Sequence, residues 1–310
     1  MSFDLTILGS SSALPTLKRF PTAHLLSVDE RFFLIDCGEG TQVQLRKFGL
    51  NPVRIHHIFI SHLHGDHVFG LFGLLSTLGM MGRKVALNLY GPDNLEPMME
   101  QHFSFFGRLP FELCFHVPDK KGKGFIYEDD RVEVSAIPLK HRTLTYGYLF
   151  REKPKALNVR KECIEEYGLG IADLVKIKGG EDHITSSGDL IPNFQLTLPP
   201  FRLRSYAYIS DTVFDLSLSE KLKGVDLLFH EATFSEKDLK LAKQTLHSTA
   251  KQAAAVAKEA GVGRLLIGHF SSRYKDIKLL VEEAREVFQD TTGVNDGDHF
   301  SLEQRRLTKE

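Results

Sequence analysis

His62-Leu63-His64-Gly65-Asp66-His67 places three imidazoles and a carboxylate within six residues. The run before it, Arg54–Ser61, is rich in isoleucine and reads as a strand. The run after it, Gly65 to Leu78, is apolar at near-helical spacing. A loop between a strand end and a helix can point several side chains at one place. Neutral imidazole and carboxylate are good Zn²⁺ ligands, and so dense a set is costly to bury without a cation. The competing reading is a polar turn that happens to be rich in histidine. The pattern predicts a metal site at the C-terminal end of a strand.

Outward from this loop the chain alternates between β-type and helical runs. Phe3–Leu8, His24–Val28 and Arg31–Cys37 come before it, and Val85–Tyr90, Glu112–His116 and Val132–Leu139 after it. Tyr206–Ser210, Val225–Phe229 and Arg264–Gly268 read as later buried strands, and Asp238–Gln244, Ser248–Ala260 and Asp276–Phe288 as helices. Ser248 is the expected N-cap of its helix and Gly261 its C-terminal stop. Strands in runs with helices between and after them predict a layered α/β architecture with mixed sheets. The rhythm breaks at 153–200, which contains Gly179-Gly180, Ser186-Ser187-Gly188 and Pro199-Pro200. A long irregular insertion in a compact domain is usually functional or disordered. The expectation is one domain over 1–310 with an inserted arm at 153–200.

Three further ligand types stand at the C-terminal ends of predicted strands. His141 follows Val132–Leu139, Asp211 follows Tyr206–Ser210, and His269 follows Arg264–Gly268. Each alone could be a satisfied structural residue. Their shared placement, with His62, His64, Asp66 and His67, would build a rigid two-metal site along one sheet edge. His56 and His57 lie inside a strand. His24, His102, His116, His183 and His299 lack a ligand-like context, and His230 reads as structural. Asp36-Cys37-Gly38-Glu39-Gly40-Thr41 reads as a turn able to support a metal loop or bind an anion through backbone N–H groups.

Composition narrows the class. The net charge of −1 over 310 residues gives no global support to a nucleic-acid partner, so any phosphate-binding surface must be local. Cys37, Cys114 and Cys163 are far apart, which argues against a disulfide scaffold or a thiolate metal site. The opening MSFDLTILGSSS lacks the charge and apolar pattern of a signal peptide. The most apolar stretch, Val68 to Met81, is shorter than the ~20 residues that span a bilayer. A cytoplasmic protein with no membrane partner is expected.

The stretches TILGSSSALPT, LIDCGEGTQ (Leu34–Gln42), ISHLHGDHVFGL (Ile60–Leu71), YISDT (Tyr208–Thr212), HEAT (His230–Thr233), LHST (Leu246–Thr249) and IGHFSSRY (Ile267–Tyr274) together resemble the metallo-β-lactamase superfamily. Within it they resemble the ribonuclease Z family, nearly end to end. The resemblance implies an αββα sandwich with two mixed sheets and helices outside, and a zinc-dependent endoribonuclease. Such an enzyme removes the 3′ trailer of precursor tRNA by attack of a metal-activated hydroxide and leaves a 3′-hydroxyl. One Zn²⁺ would take His62, His64 and His141, the other Asp66, His67 and His269, with Asp211 bridging. Mn²⁺ or Fe²⁺ can occupy similar ligands. Asp66 would also accept the proton of the nucleophile, and His247, oriented by Glu231, would serve the leaving oxygen. Asp36 would support the loop.

The family's substrate loop near the N-terminus corresponds to Pro15–Thr22, which keeps the proline and the basic pair Lys18-Arg19 but differs in spacing and in its last positions. Lys18, Arg19 and Arg273 are the expected substrate contacts. The arm, with Lys153, Lys155, Arg160, Lys161, Lys176 and Lys178 among acidic residues, would hold the tRNA body in a homodimer. The nearest rival is another binuclear-metal hydrolase of this fold, arylsulfatase-like or cyclic-nucleotide phosphodiesterase-like. A non-catalytic RNA-binding module is disfavoured by the intact ligand set.

Overall fold

A computed structural model of the chain describes residues 2–307. Sixteen strands follow one another as β1 Phe3–Gly9, β2 Ala23–Val28, β3 Arg31–Ile35, β4 Ile55–Phe59, β5 Leu87–Tyr90, β6 Leu113–His116, β7 Tyr127–Glu128, β8 Val132–Leu139, β9 Thr145–Glu152, β10 His183–Ile184, β11 Leu190–Ile191, β12 Ser205–Ile209, β13 Leu227–Glu231, β14 Arg264–Gly268, β15 Thr291–Gly293 and β16 His299–Ser301. The α-helices are α1 Thr41–Lys47, α2 Gly65–Met80, α3 Leu95–Phe106, α4 Lys161–Glu166, α5 Ile171–Lys178, α6 Asn193–Leu196, α7 Leu218–Lys221, α8 Leu239–Thr245, α9 Ala250–Ala260 and α10 Lys278–Arg285. They form two compact units, one of residues 2–151 with 205–302, the other of 152–204 with 303–307.

The larger unit holds two seven-stranded sheets, ordered β16-β1-β2-β3-β4-β5-β6 and β15-β14-β13-β12-β9-β8-β7. Both mix parallel and antiparallel pairs. Their inner faces share an aromatic core of Phe33, Phe59, Tyr148, Phe150, Tyr206, Tyr208 and Phe229. Phe59 meets Tyr148 at 5.2 Å and Phe33 meets Phe150 at 5.5 Å, ring to ring from one sheet to the other. Each such side chain contributes about 1.5–3 kcal/mol through burial. The outer face of the first sheet is covered by apolar residues of α1, α2 and α3, and that of the second by α7, α9 and α10. This is the αββα layering that the family resemblance implies.

The placement of α2 shows how sequence sets this arrangement. Its buried residues, Val68, Leu71, Leu74, Leu75 and Leu78, recur every three or four positions and make one apolar stripe. Gly70 lies where that stripe meets the 36–41 turn. A Cβ there would overlap the carbonyl of Gly38, so only glycine lets helix and turn approach.

Several boundaries differ from the sequence reading. The strand expected over Arg54–Ser61 is shorter, because the Ser61 N–H leaves the ladder for Asp36 Oδ1 at 2.7 Å. The cap of α9 is Thr249, not Ser248. Thr249 Oγ1 accepts from Gln252 N while Gln252 Oε1 accepts from Thr249 N, a capping box. Ser248 instead donates its hydroxyl to the Thr212 carbonyl. Gly261 does end the helix, at φ 60°. We expect Thr249→Ala to lower unfolding free energy by about 1 kcal/mol, measured as a shift of the urea midpoint at unchanged slope. Of the elements that the sequence reading does not contain, two form or cover parts of the sheets. The first is α3, which buries only Leu95 and Met99. The second is β9, buried on both faces except at Arg151.

The second unit is ordered rather than irregular. The sequence reading bounded it at 153–200, whereas it runs from 152 to 204 and takes in the chain end from 303. Helices α4, α5 and α6 and the β10–β11 hairpin surround a small core of Cys163, Leu169, Ile177 and Leu196. Glu152 and Arg204, at its two ends, form a buried bidentate pair at 2.7 and 2.9 Å. The remaining residues, Met1 and 308–310, lie outside the described chain.

Candidate metal centre

Parallel pairing of β3, β4, β5 and β6 puts their C-terminal ends on one sheet edge. His62 stands three residues beyond β4, fully buried, and His64 is the N-cap residue of α2. Asp66 and His67 follow in the first turn of that helix. From the other sheet, β8 leads to His141, β12 to Asp211 and β14 to His269. Six side chains and one aspartate from distant strand ends thus converge, as the sequence pattern required.

The geometry divides them into two groups around Asp211. Asp211 Oδ2 lies 3.5 Å from His62 Nε2 and 3.8 Å from His141 Nε2. Asp211 Oδ1 lies 3.2 Å from His269 Nε2 and 3.6 Å from His67 Nε2. His64 Nδ1 completes the first group, 2.9 Å from His62 Nε2. Asp66 Oδ2 completes the second, 3.4 Å from His269 Nε2 and 3.6 Å from His67 Nε2. Within His62, His64, His141 and Asp211, and within Asp66, His67 and His269, the candidate ligand atoms all lie within 4.8 Å of one another.

The residues fit a pair of cations. Among the described residues Asp211 Oδ1 is buried and lacks a hydrogen-bond donor, a costly state for a carboxylate. Imidazole nitrogens face one another, His62 Nε2 to His64 Nδ1 at 2.9 Å and His67 Nε2 to His269 Nε2 at 3.2 Å. Imidazole and carboxylate without thiolate suit Zn²⁺, Mn²⁺ or Fe²⁺.

A supporting layer fixes which ring nitrogen faces the centre. His67 Nδ1 lies 2.7 Å from Asp36 Oδ2, His141 Nδ1 lies 2.9 Å from the Leu246 carbonyl, and His269 Nδ1 lies 2.9 Å from Thr233 Oγ1. Such contacts hold one tautomer and leave Nε2 free for a ligand bond. Asp36 also accepts from the Ser61 hydroxyl at 2.8 Å and the Tyr208 hydroxyl at 2.6 Å. Thr233 passes its own hydroxyl hydrogen to Glu231 Oε2 at 2.8 Å. Asp66 Oδ2 accepts from Ala13 N at 2.7 Å. Ala13, Asp36, Leu246 and His269 all adopt positive φ, between 55° and 60°. That conformation costs a non-glycine residue roughly 1–2 kcal/mol, and its clustering here is the mark of a constrained functional site.

His247 sits beside both groups. Its Nδ1 lies 3.1 Å from Glu231 Oε1 and 4.0 Å from Asp211 Oδ2. Burial alone lowers its pKa, but the carboxylates of Glu231 and Asp211 outweigh this and raise it to about 9. Glu231 is fully buried and is held by the N–H groups of Thr212, Thr233 and Ser248. Burial holds the His62 imidazole well below its ordinary value. At His67 burial acts the same way, yet Asp66, Asp211 and Asp36 hold it well above. Asp66 lies below the usual carboxylate range, because His67 and His269 overcome the opposing effect of burial.

The other sequence candidates fall outside the two groups. Lys18 is exposed. Arg19 donates to Asn295 Oδ1 at 2.9 Å and lies over the Phe270 ring, while Arg273 donates to Ser271 Oγ and lies over Phe234. Both arginines therefore already hold protein partners. His24 contacts the Tyr206 hydroxyl, His57 that of Tyr90, and His230 the backbone carbonyl of Glu231. Ser61, Tyr208 and Thr233 were not singled out as site residues in the sequence, although all three lie in stretches that carry the family resemblance.

The chain is similar to known proteins along most of its length. A family model described as the beta-lactamase superfamily domain matches residues 196–270, and one described as anti-Pycsar protein Apyc1 matches residues 3–104. Ribonuclease Z of Bacteroides fragilis (strain YCH46) is 47% identical over 290 residues, covering 93% of this chain and 95% of that one. Ribonuclease Z of Porphyromonas gingivalis (strain ATCC 33277) is 46% identical over 299 residues, 95% of this chain and 97% of that one. The solved structure of human tRNase Z, short form, superposes with a TM-score of 0.70 at 27% identity, covering 97% of this chain and 99% of that chain.

Proposed function

The chain belongs to the ribonuclease Z family of metallo-β-lactamase-fold hydrolases, and from that premise we propose that it is a zinc-dependent endoribonuclease that removes the 3′ trailer of precursor tRNA. The observation that carries this reading is Asp211, whose two oxygens face two separate His/Asp groups, with the His247–Glu231 pair alongside. His62, His64, His141 and Asp211 would hold one ion, and Asp66, His67, His269 and Asp211 the other. When bound, two such ions lower the pKa of water toward ~7 and neutralise charge on the phosphate oxygens.

The chain's own side chains do the remainder. Asp66, fixed by the Ala13 N–H, orients the nucleophile and takes its proton. His247, held by Glu231, delivers a proton to the departing 3′ oxygen. The P–O3′ bond breaks, so the tRNA keeps a 3′-hydroxyl and the trailer carries the 5′ phosphate. Lys18 contacts substrate phosphate, with Arg19 and Arg273 shaping the loops around it. The 152–204 unit binds the tRNA body, and the working form is a cytoplasmic homodimer. Among the described residues no helix is long and apolar enough to cross a membrane.

Incubation with 3′-extended precursor tRNA tests the reading. The expected result is one endonucleolytic cut at the trailer junction, lost on chelation, restored by Zn²⁺ and absent in Asp66→Ala. Cleavage that ignores chelation and Asp66→Ala, or hydrolysis of small diesters with no action on tRNA, overturns it.

A further inference from the structure

With a net charge of −1, this chain has to concentrate its cations if it is to hold a polyanion. The 152–204 insertion carries as many acidic as basic side chains, so it supplies no net positive field. The parallel order β4-β5-β6 offers another place. The turn that follows β6, Pro118-Asp119-Lys120-Lys121-Gly122-Lys123-Gly124, opens on the same sheet edge as the loop at 62–67.

Two contacts tie this turn to the metal-binding loops, and a third fixes it internally. Tyr146 joins the turn to the centre, since its N–H donates to the Ser61 carbonyl at 3.0 Å and its hydroxyl to the Pro118 carbonyl at 3.3 Å. Gly122, at φ 67°, fits so closely against Pro138 and the Ala136 carbonyl that a Cβ would overlap them, and Pro138 lies three residues before His141. Asp119 Oδ1 accepts from the N–H groups of Lys121 at 2.9 Å and Lys123 at 3.2 Å, which fixes the course of the turn.

The charges on this rim can be sorted. Lys120 pairs with Asp93 at 3.1 Å, and Lys140 pairs with Asp215 at 2.8 Å. Lys121 and Lys123 are exposed, and Asp119 beside them is engaged by their backbone N–H groups. Arg142, next to His141, is exposed and donates to the Gln244 carbonyl at 3.2 Å, a neutral partner that leaves its charge available.

We propose that Lys121 and Lys123, together with Arg142, form a phosphate-binding rim that holds the ribose-phosphate chain of the RNA on the His62/His64/His141 side of the site. The proposal rests on the endoribonuclease reading of that site. Such cations position a nucleic acid without reading its sequence.

The test uses the full chain loaded with metal, wild type beside Lys121→Gln/Lys123→Gln. A control pair, Lys47→Gln/Lys84→Gln, removes the same charge from exposed positions at the opposite ends of the strands. For precursor tRNA the rim variant should raise KM roughly tenfold and flatten the log KM against log salt slope by about 1.5. Its kcat, its hydrolysis of bis(p-nitrophenyl) phosphate and the control pair's KM should stay at wild-type values. Equal KM shifts in both pairs would assign the effect to net charge and overturn the rim. Unchanged KM and salt slope in the rim variant, with wild type still cutting tRNA, overturn the rim and leave the enzyme reading standing. Wild type that cuts no RNA takes both down.

Discussion

Asp211→Ala should reduce kcat/KM for precursor tRNA by roughly 10³-fold or more and bring bound metal from the proposed two ions per chain to fewer than one. The size of the effect follows from position. Every other candidate ligand serves one group, whereas Asp211 turns Oδ2 to His62 and His141 and Oδ1 to His269 and His67. Its removal deprives both groups of an anionic ligand at once and leaves five imidazoles facing one another with Asp66 as the one carboxylate. Asp211→Asn keeps the volume but not the charge and should fall between wild type and the alanine variant. Metal content by mass spectrometry and single-turnover rates on labelled precursor decide the matter, with circular dichroism in chelator showing that each variant is folded. Two ions retained in Asp211→Ala would show that the aspartate is not shared, and the two-group reading would have to be replaced.

His247→Ala should behave differently. The RNA cleavage rate should fall by roughly 10²–10⁴-fold, the usual contribution of a positioned proton donor, while both metal ions remain. The reason is geometric: His247 Nδ1 rests on Glu231 Oε1 at 3.1 Å and stands 4.0 Å from Asp211, beside the groups rather than inside them. A diester whose leaving group is p-nitrophenolate needs no proton as it departs. Its hydrolysis should therefore drop less than about tenfold in the same variant. Equal losses on RNA and on the activated ester would assign His247 to substrate or metal positioning instead. Loss of metal would place it among the ligands, where its proximity to Asp211 and His269 also permits it to stand.

The seven candidate ligands were legible because local chain geometry delivers them. A histidine or aspartate just past a buried strand is carried to the sheet edge whatever the rest of the molecule does, and His62, His141, Asp211 and His269 each occupy such a position. Glu231 and His247 stand out in the sequence through the HEAT and LHST stretches, and the fold brings them into contact at 3.1 Å. The failures have equally physical causes. β9 is buried on both faces, so it lacks the alternation that marks a strand, and α3 buries too little for a helical stripe. Ser248 and Thr249 are both good caps by composition. Only the fold, which sends the Ser248 hydroxyl to Thr212, leaves Thr249 to cap the helix.

By itself, the order of residues determined the layered α/β class, the strand-end rule that gathers the metal ligands, and the break in pattern at the insertion. These rest on periodicity and on neighbours along the chain, which a linear reading contains. Tertiary structure alone decided that Tyr208 reaches Asp36 across 172 positions and Thr233 reaches His269 across 36, that Arg19 is occupied by Asn295 and Phe270, and that the Lys121–Lys123 turn opens on the same sheet edge as the loop at 62–67. Hydrogen bonds and ion pairs depend on distances in space, and those are set only when two sheets close on one aromatic core and bring remote segments to the same edge.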